Sequence, residues 1–295
     1  MATGLGGLGM IREATQDDAV AIDAFLAEHA ASSMFLRSNL ASQGVGISDH
    51  PHSSRIFLRE VEGIVGVFGV TKGGYLMVQM PDLTSDDATA FARSISGSTV
   101  LGMTGPTAQV ETTLVALGLD NGEFRLNHDE PLYRLELSQM SAQTVDCRPM
   151  EPSDVPLLEG WFAQYLTDTN QASADEAKKD EAKKIAPARA RSDLETGRVR
   201  LLVKEGQAVA MASLNAIVSD HVQVGGVYVP CDMRGRGYGR DVTLGLLQEA
   251  KGNGKNVAVL FANNPPAARA YEAIGFEQVG WYRIALLGQP QEIRS

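Results

Sequence analysis

The sequence predicts an α/β fold in two tandem domains, residues 1–140 and 141–295. Three observations predict it. An apolar run, Val222-Gln-Val-Gly-Gly-Val-Tyr-Val229, passes through Arg234-Gly-Arg-Gly-Tyr-Gly239 into a helix-patterned run, Asp241 to Ala250. A second apolar run, Val257 to Phe261, leads into another helical stretch that stops at Gly275. Several segments of the first half also recur, in the same order, in the second. Successive strand–turn–helix units of this kind mark the α/β class.

Each element has a local cause. The valine-rich run at 222–229 suits a strand covered on both faces. The glycines after it permit left-handed dihedrals and let a ligand approach backbone that a Cβ would shield. Turning through them into a helix leaves several N–H groups pointing one way at the positive end of the helix dipole. Such a corner holds a phosphate or diphosphate without a particular side chain. Arg234, Arg236 and Arg240 add charge nearby. Two other phosphate loops do not fit. No Lys-Ser/Thr follows the glycines, as a Walker loop requires. Gly235-x-Gly237-x-Gly239 lacks the spacing of a dinucleotide fingerprint.

Downstream, Asn263 or Asn264 can cap a helix whose first turn tolerates Pro265 and Pro266. Gly275 ends that helix and Phe276 returns to the core. Together, Arg234, Gly237 and Gly239 as Arg-x-x-Gly-x-Gly, then an Asn, a Tyr271-bearing helix and Gly275-Phe276, resemble the GNAT superfamily of acyl-coenzyme A dependent N-acetyltransferases. The resemblance covers about residues 145–287 well and 10–137 loosely. It implies two tandem GNAT-like domains, each a twisted mixed sheet flanked by helices. It also places acetyl-CoA in a splay between the strands ending near Val229 and beginning near Val257.

The two halves match in order. Ile11 to Asp18 corresponds to Cys147 to Asp154, Arg55 to Gly63 to Arg198 to Gly206, Val115 to Leu119 to Glu272 to Phe276, and Leu132 to Leu135 to Trp281 to Ile284. The join falls near Ser138 to Asp146. The halves differ chemically. Where the second offers three arginines, the first has Asp82, Asp86 and Asp87, carboxylates that stabilise a helix start but repel a diphosphate. No tyrosine occurs between Thr107 and Gly118. The N-terminal half therefore reads as a copy that has lost the cofactor loop. Its expected role is packing, shaping the acceptor cleft or forming a homodimer.

Composition excludes several classes. With 44% apolar and 21% charged residues the chain can build ordinary cores. No apolar stretch approaches the roughly 18 residues of a membrane span. Met1 to Gly9 lacks the basic start and apolar core of a secretory signal, so a cytoplasmic enzyme is expected. Cys147 and Cys231 define neither a disulfide framework nor a zinc site, and no metal is expected. Residues 1–140 hold 8 Lys/Arg against 17 Asp/Glu and residues 141–295 hold 18 against 19, so the net −10 lies almost wholly in the first half. That charge disfavours nucleic acid and, as a field, would draw a cationic amine. Asp175 with Lys179 and Asp180 with Lys184 stand at i,i+4 in an expected exposed helix that Pro187 ends or bends. In GNAT relatives the corresponding segment often lines the acceptor site, which singles out Arg189, Arg191 and Glu195.

The resemblance also implies roles. Backbone groups at Val227, Tyr228 and Val229 would hold the pantetheine arm, and those at Arg234, Gly235, Arg236, Gly237, Tyr238, Gly239 and Arg240 the diphosphate. Asn264 and Ala268 would complete cofactor binding. Tyr271 would be the acid for the leaving thiolate, a phenol near pKa 10 against a thiol near about 8.5. Asn263 would orient a water or the acceptor, a small-molecule or peptide amine. An alkylamine near pKa 10.4 is roughly 4.6 kcal/mol from neutral at pH 7. Where many relatives carry a carboxylate this chain has Gln223, and Asp220 and His221 stand at the strand start. The base is unassigned. A non-catalytic acyl-CoA sensor is the alternative.

Overall fold

The computed structural model describes the backbone of residues 10–140, 143–169 and 176–294, and their side chains except those of 176–181. The leader reading of Met1 to Gly9 and the pairs Asp175–Lys179 and Asp180–Lys184 lie outside what is described. In chain order the elements are β1 (Ile11–Glu13), α1 (Ala19–Glu28), α2 (Ala30–Gln43), β2 (Ser54–Glu60), β3 (Ile64–Thr71), β4 (Tyr75–Gln79), α3 (Ser85–Ser94), β5 (Thr99–Pro106), α4 (Thr107–Ala116) and β6 (Phe124–Glu136). There follow β7 (Cys147–Pro149), α5 (Val155–Asp168), α6 (Glu176–Thr196), β8 (Val199–Lys204), β9 (Gln207–Val218), β10 (His221–Tyr228), α7 (Tyr238–Gly252), β11 (Val257–Phe261), α8 (Pro265–Glu272) and β12 (Glu277–Glu292).

The chain forms two compact units, Met1–Glu130 with Trp281–Ser295, and Pro131–Gly280. These units are not divided at 140/141. In the first, β12 pairs with β5; in the second, β6 pairs with β11. The last strand of each half thus completes the sheet of the other unit's sequence, which no short-range pattern encodes. The first sheet runs β1-β2-β3-β4-β5-β12, with only β4 and β5 parallel. The second runs β7-β8-β9-β10-β11-β6, with only β10 and β11 parallel. Each is a mixed sheet flanked by helices.

Local details also recur. Arg12 forks onto Asp18 with both contacts at 2.8 Å, and Arg148 onto Asp154 at 2.6 and 2.8 Å. Each pair ties a first strand to the helix start that follows. The Glu62-Gly63 and Glu205-Gly206 turns both place a glutamate near φ +52°, at 53° and 52°. That is a strained setting for a side chain, eased by the glycine beside it.

In the second unit α7 carries the main apolar stripe. Val242, Leu246 and Ala250 recur every four residues, with Leu247 beside them, and pack on Val222, Val224, Ala258 and Leu260 of β10 and β11. Burying each such Leu or Val stabilises by roughly 1.5–3 kcal/mol, and Leu246→Ala would cost about 2–5 kcal/mol. This packing fixes the helix whose N-terminus forms the glycine corner. On the other side of the unit, α6 continues through Pro187 to Thr196, so the proline does not end it. One backbone hydrogen bond is lost there. The stripe Ala182, Ala186 and Ala190 stays buried across the proline and, with Leu194, offsets that loss.

Candidate active site

Strands β10 and β11 pair over three rows only, His221–Val257, Val222–Ala258 and Gln223–Val259. Past Gln223, β10 is bulged against β9 twice, and Gly226 sits at φ +58° inside the second bulge. Adjacent glycines in a strand are the sequence signal for such a bulge. Having left β11, β10 exposes backbone N–H and C=O groups along one edge. A cleft of about 560 Å³ opens there, within the second unit.

One wall is the glycine corner. Gly235 and Gly237 adopt φ +78° and +81°, and Gly237 is the N-cap of α7. The helix begins at Tyr238, three residues earlier than the apolar pattern suggests, so Gly239 and Arg240 lie in its first turn. Its first backbone bond runs from Asp241 N–H to Gly237 O at 3.0 Å. Among the described residues nothing accepts from the backbone N–H groups of Gly235 to Arg240. Four or more donors at a helix N-terminus, with no Cβ on alternate residues, fit a diphosphate.

The arginines are engaged more than the sequence suggests. Arg234 donates through Nε to Val229 O at 3.0 Å and ion-pairs with Asp168 at the end of α5. Arg240 pairs with Asp241 at 3.0 Å, and Arg236 reaches Asp232 O at 3.5 Å. Positive charge at the corner therefore comes largely from the helix terminus. Between Arg234 and α5 lies Tyr228, its ring 5.9 Å from the Arg234 guanidinium and 5.8 Å from the Trp161 ring. Burial, then the Asp168 charge, pushes its hydroxyl up to about 12, so it stays protonated at neutral pH.

The opposite wall is α8. Asn264 is its cap, accepting from Ala267 N–H at 2.9 Å, while Asn263 accepts from the Asn264 side-chain amide at 2.7 Å. Gly275, at φ +115°, follows the last turn, and Phe276 N–H closes onto Tyr271 O at 3.1 Å. Tyr271 is 7% exposed, lies edge-on to Phe276 with ring centroids 6.0 Å apart, and lines the cleft.

Of the residues singled out from sequence, the cleft is lined by Val227, Tyr228 and Val229 on β10 and its extension and by Asn263, Asn264 and Tyr271 on the α8 side. The corner contributes Arg234, Gly235, Gly237, Tyr238, Gly239 and Arg240. Arg236 is exposed and Ala268 packs on the core behind α8; neither lines it. Three lining residues from α5 and its end, Tyr165, Asp168 and Thr169, had no sequence signal, because only tertiary packing brings them there. Phe261, at the end of β11, also lines the cleft. Gln223 stands on the last paired row before the strands part. It is fully buried, and neither of its amide atoms has a partner among the described residues. His221 bonds Asp220 at 2.8 Å.

The corresponding region of the first unit is closed by its own side chains. There β4 and β5 pair up to Met77–Thr104, and the next free strand-end amide, Met80 N–H, donates to Gln109 Oε1 at 2.8 Å. At the start of α3, Thr84 and Asp87 form a capping box, and Asp87 also takes Arg59 at 2.7 Å. Burial pushes the Asp87 carboxyl up, but Thr84 and Arg59 outweigh it and hold it below its ordinary value. That helix start is thus already supplied with an anion.

Residues 160–276 match the Acetyltransferase (GNAT) family profile. No curated protein matches the chain. Solved structures resemble it in fold over nearly its whole length. An acetyltransferase from the GNAT family of Colwellia psychrerythraea is 16% identical, covers 94% of this chain and 99% of its own, with a TM-score of 0.53. A GCN5-related N-acetyltransferase from Sphaerobacter thermophilus is 16% identical, covers 99% and 98%, with a TM-score of 0.54. One from Kribbella flavida is 14% identical, covers 90% and 96%, with a TM-score of 0.52. Residues 160–276 therefore resemble the GNAT acetyltransferases, and the chain carries a mixed sheet flanked by helices like that of these solved structures.

Proposed function

We propose that the chain is an N-acetyltransferase that moves an acetyl group from acetyl-CoA to a primary amine of a small molecule or peptide, with both substrates bound together. The observation that carries this reading is the row of backbone N–H groups from Gly235 to Arg240 without acceptors, beside a cleft that Tyr271 lines. Acetyl-CoA would supply a thioester carbonyl for the amine to attack and a thiolate to leave.

The chain's own residues do the rest. The corner amides neutralise the diphosphate, and the unpaired edge of β10 from Val224 to Val229 holds the pantetheine amides as a neighbouring strand would. Val229 O already accepts from Arg234, so the N–H groups of that edge and the Val227 carbonyl carry most of this pairing. Tyr271 holds a proton for the leaving sulfur; such acids contribute about 10²–10⁴-fold. Asn263, whose amide nitrogen lacks an acceptor among the described residues, orients the acceptor or a water. The first unit is then a copy of the same fold whose cofactor corner is filled by Gln109 and Asp87, and its role is structural.

Gln223 favours a second reading. An amide at that position takes no proton from an ammonium group, which suits a sensor that binds acyl-CoA without turnover. Incubating the chain with acetyl-CoA and a panel of amines, and reading thiol release, separates the two. A transferase releases thiol only with an acceptor, and Tyr271→Phe lowers kcat at least about 100-fold with the KM for acetyl-CoA little changed. Tight binding with no release under any acceptor supports the sensor.

A further inference from the structure

The side of β10 opposite α7 bears a cation that the function above does not use. Arg189 of α6 donates through Nε to Asp193 at 2.8 Å, one turn on, and its guanidinium lies 5.3 Å from the centre of the Phe162 ring. Asp193 is buried, so the pair is anchored on the helix. Those two contacts hold the guanidinium beside Phe162 and Asp193. They leave both terminal nitrogens with no acceptor among the described residues.

Gly226 gives the direction of that free fork. A Cβ on Gly226 would stand 4.0 Å from Arg189 Nη2 and 2.7 Å from Ser213 Oγ. Ser213 in turn donates to Gly225 O at 3.0 Å and holds the bulge. Gly226 lines the cleft, and with no Cβ there the Arg189 guanidinium stands behind that stretch of the strand, with the Ser213 hydroxyl beside it. The charges lining the cleft are otherwise taken, Asp168 by Arg234 and Arg240 by Asp241. An acceptor with a second ammonium group finds no free carboxylate among them. An acceptor with a carboxylate finds a planar, pre-oriented fork of donors, the geometry that matches carboxylate best.

We propose that the acceptor is an amine that carries its own carboxylate, an amino acid or a peptide of that character, and that Arg189 binds the carboxylate across Gly226. This rests on the transferase reading above. Attack then forms the N–acyl bond and breaks the C–S bond, the amine losing one proton and the thiolate gaining one, with the carboxylate unchanged.

The test uses matched pairs, each amino acid against its decarboxylated amine and its carboxamide, with thiol release as readout. Arg189→Lys keeps the charge but loses the fork, and Arg189→Gln keeps a donor for Asp193, so a folding defect is distinguished by the melt of each variant. The wild-type chain is expected to show a KM about tenfold lower for the carboxylated member, a loss of about 1.4 kcal/mol on removing it. Both variants raise that KM about tenfold and move the decarboxylated member far less. Preference of the wild-type chain for decarboxylated amines, or equal losses for both members in the variants, overturns the proposal. If acetyl-CoA binds and no amine is acetylated, the transferase reading fails by itself. Calorimetry with the same pairs on the CoA-loaded chain then decides, since Arg189-dependent binding of the carboxylated member upholds the proposal and its absence overturns it.

Discussion

Replacing Gly235 and Gly237 together by alanine tests whether the glycine corner is the cofactor site. Both residues occupy the left-handed region, at φ +78° and +81°. An alanine forced there costs about 1 kcal/mol or more, so the pair costs about 2 kcal/mol. A Cβ on Gly235 meets nothing within 4 Å, and one on Gly237 meets only the end of Arg240, at 3.6 Å. Packing therefore does not hold the loop, and the free variant relaxes out of the donor geometry. Binding must then restore it, which weakens the affinity for coenzyme A about 30-fold. The control is Gly254→Ala. It has the same strain at φ +76°, with open surroundings, but follows the far end of α7. It is expected to lower stability by about 1 kcal/mol and leave the affinity alone. Calorimetric titration with coenzyme A at fixed ionic strength, with a denaturant curve for each variant, reads both effects. Unchanged affinity in the double variant, or an equal loss in Gly254→Ala, refutes the reasoning.

Other outcomes follow from particular groups. Gln223→Met removes two buried amide atoms without partners and keeps the volume, so it should raise unfolding stability by about 1 kcal/mol. Destabilisation in a denaturant curve would mean that the amide has a partner. Burial and then Asp146 push the Cys147 thiol up to about 11, whereas Cys231 is exposed. A disulfide reagent at pH 8 should therefore modify Cys231 quickly and Cys147 slowly, and one uniform phase for two thiols would contradict this. The Arg148 fork, then the Glu151 N–H, holds the Asp154 carboxyl below its ordinary value. A depressed folded-state pKa gives stability that is present above the unfolded value, near 3.9, and is lost as pH falls through the folded one. The stability gap between wild type and Arg148→Ala should thus be constant from pH 7 to 5 and shrink below about pH 4. A gap that widens in acid would reverse the assignment.

What the sequence reveals here is what local chemistry decides. The strand at Val257–Phe261 and the stop at Gly275 each depend on a few adjacent residues and stand as expected, and of the two asparagines offered as the cap it is Asn264 that serves. The glycine corner was legible for the same reason, since positive φ is what glycine is for. Pro187 does not end α6, one of the two outcomes expected of it, because the proline rule is local, whereas the alanine stripe that holds the helix together is tertiary. The exchange of β6 and β12 was out of reach, since strand pairing across more than a hundred residues leaves no short-range pattern. Asp168 shows the same limit in the site. Nothing about a residue ending α5 says that it meets an arginine 66 residues later.

The most direct test of the central claim is the backbone amide spectrum of the chain titrated with coenzyme A, followed by a structure of the complex. The account predicts that the amides of Gly235 to Arg240 shift first and saturate together, with diphosphate oxygens within about 3.2 Å of several of those nitrogens. Saturation of the chain with those amides unmoved, or no binding at millimolar coenzyme A, would contradict it.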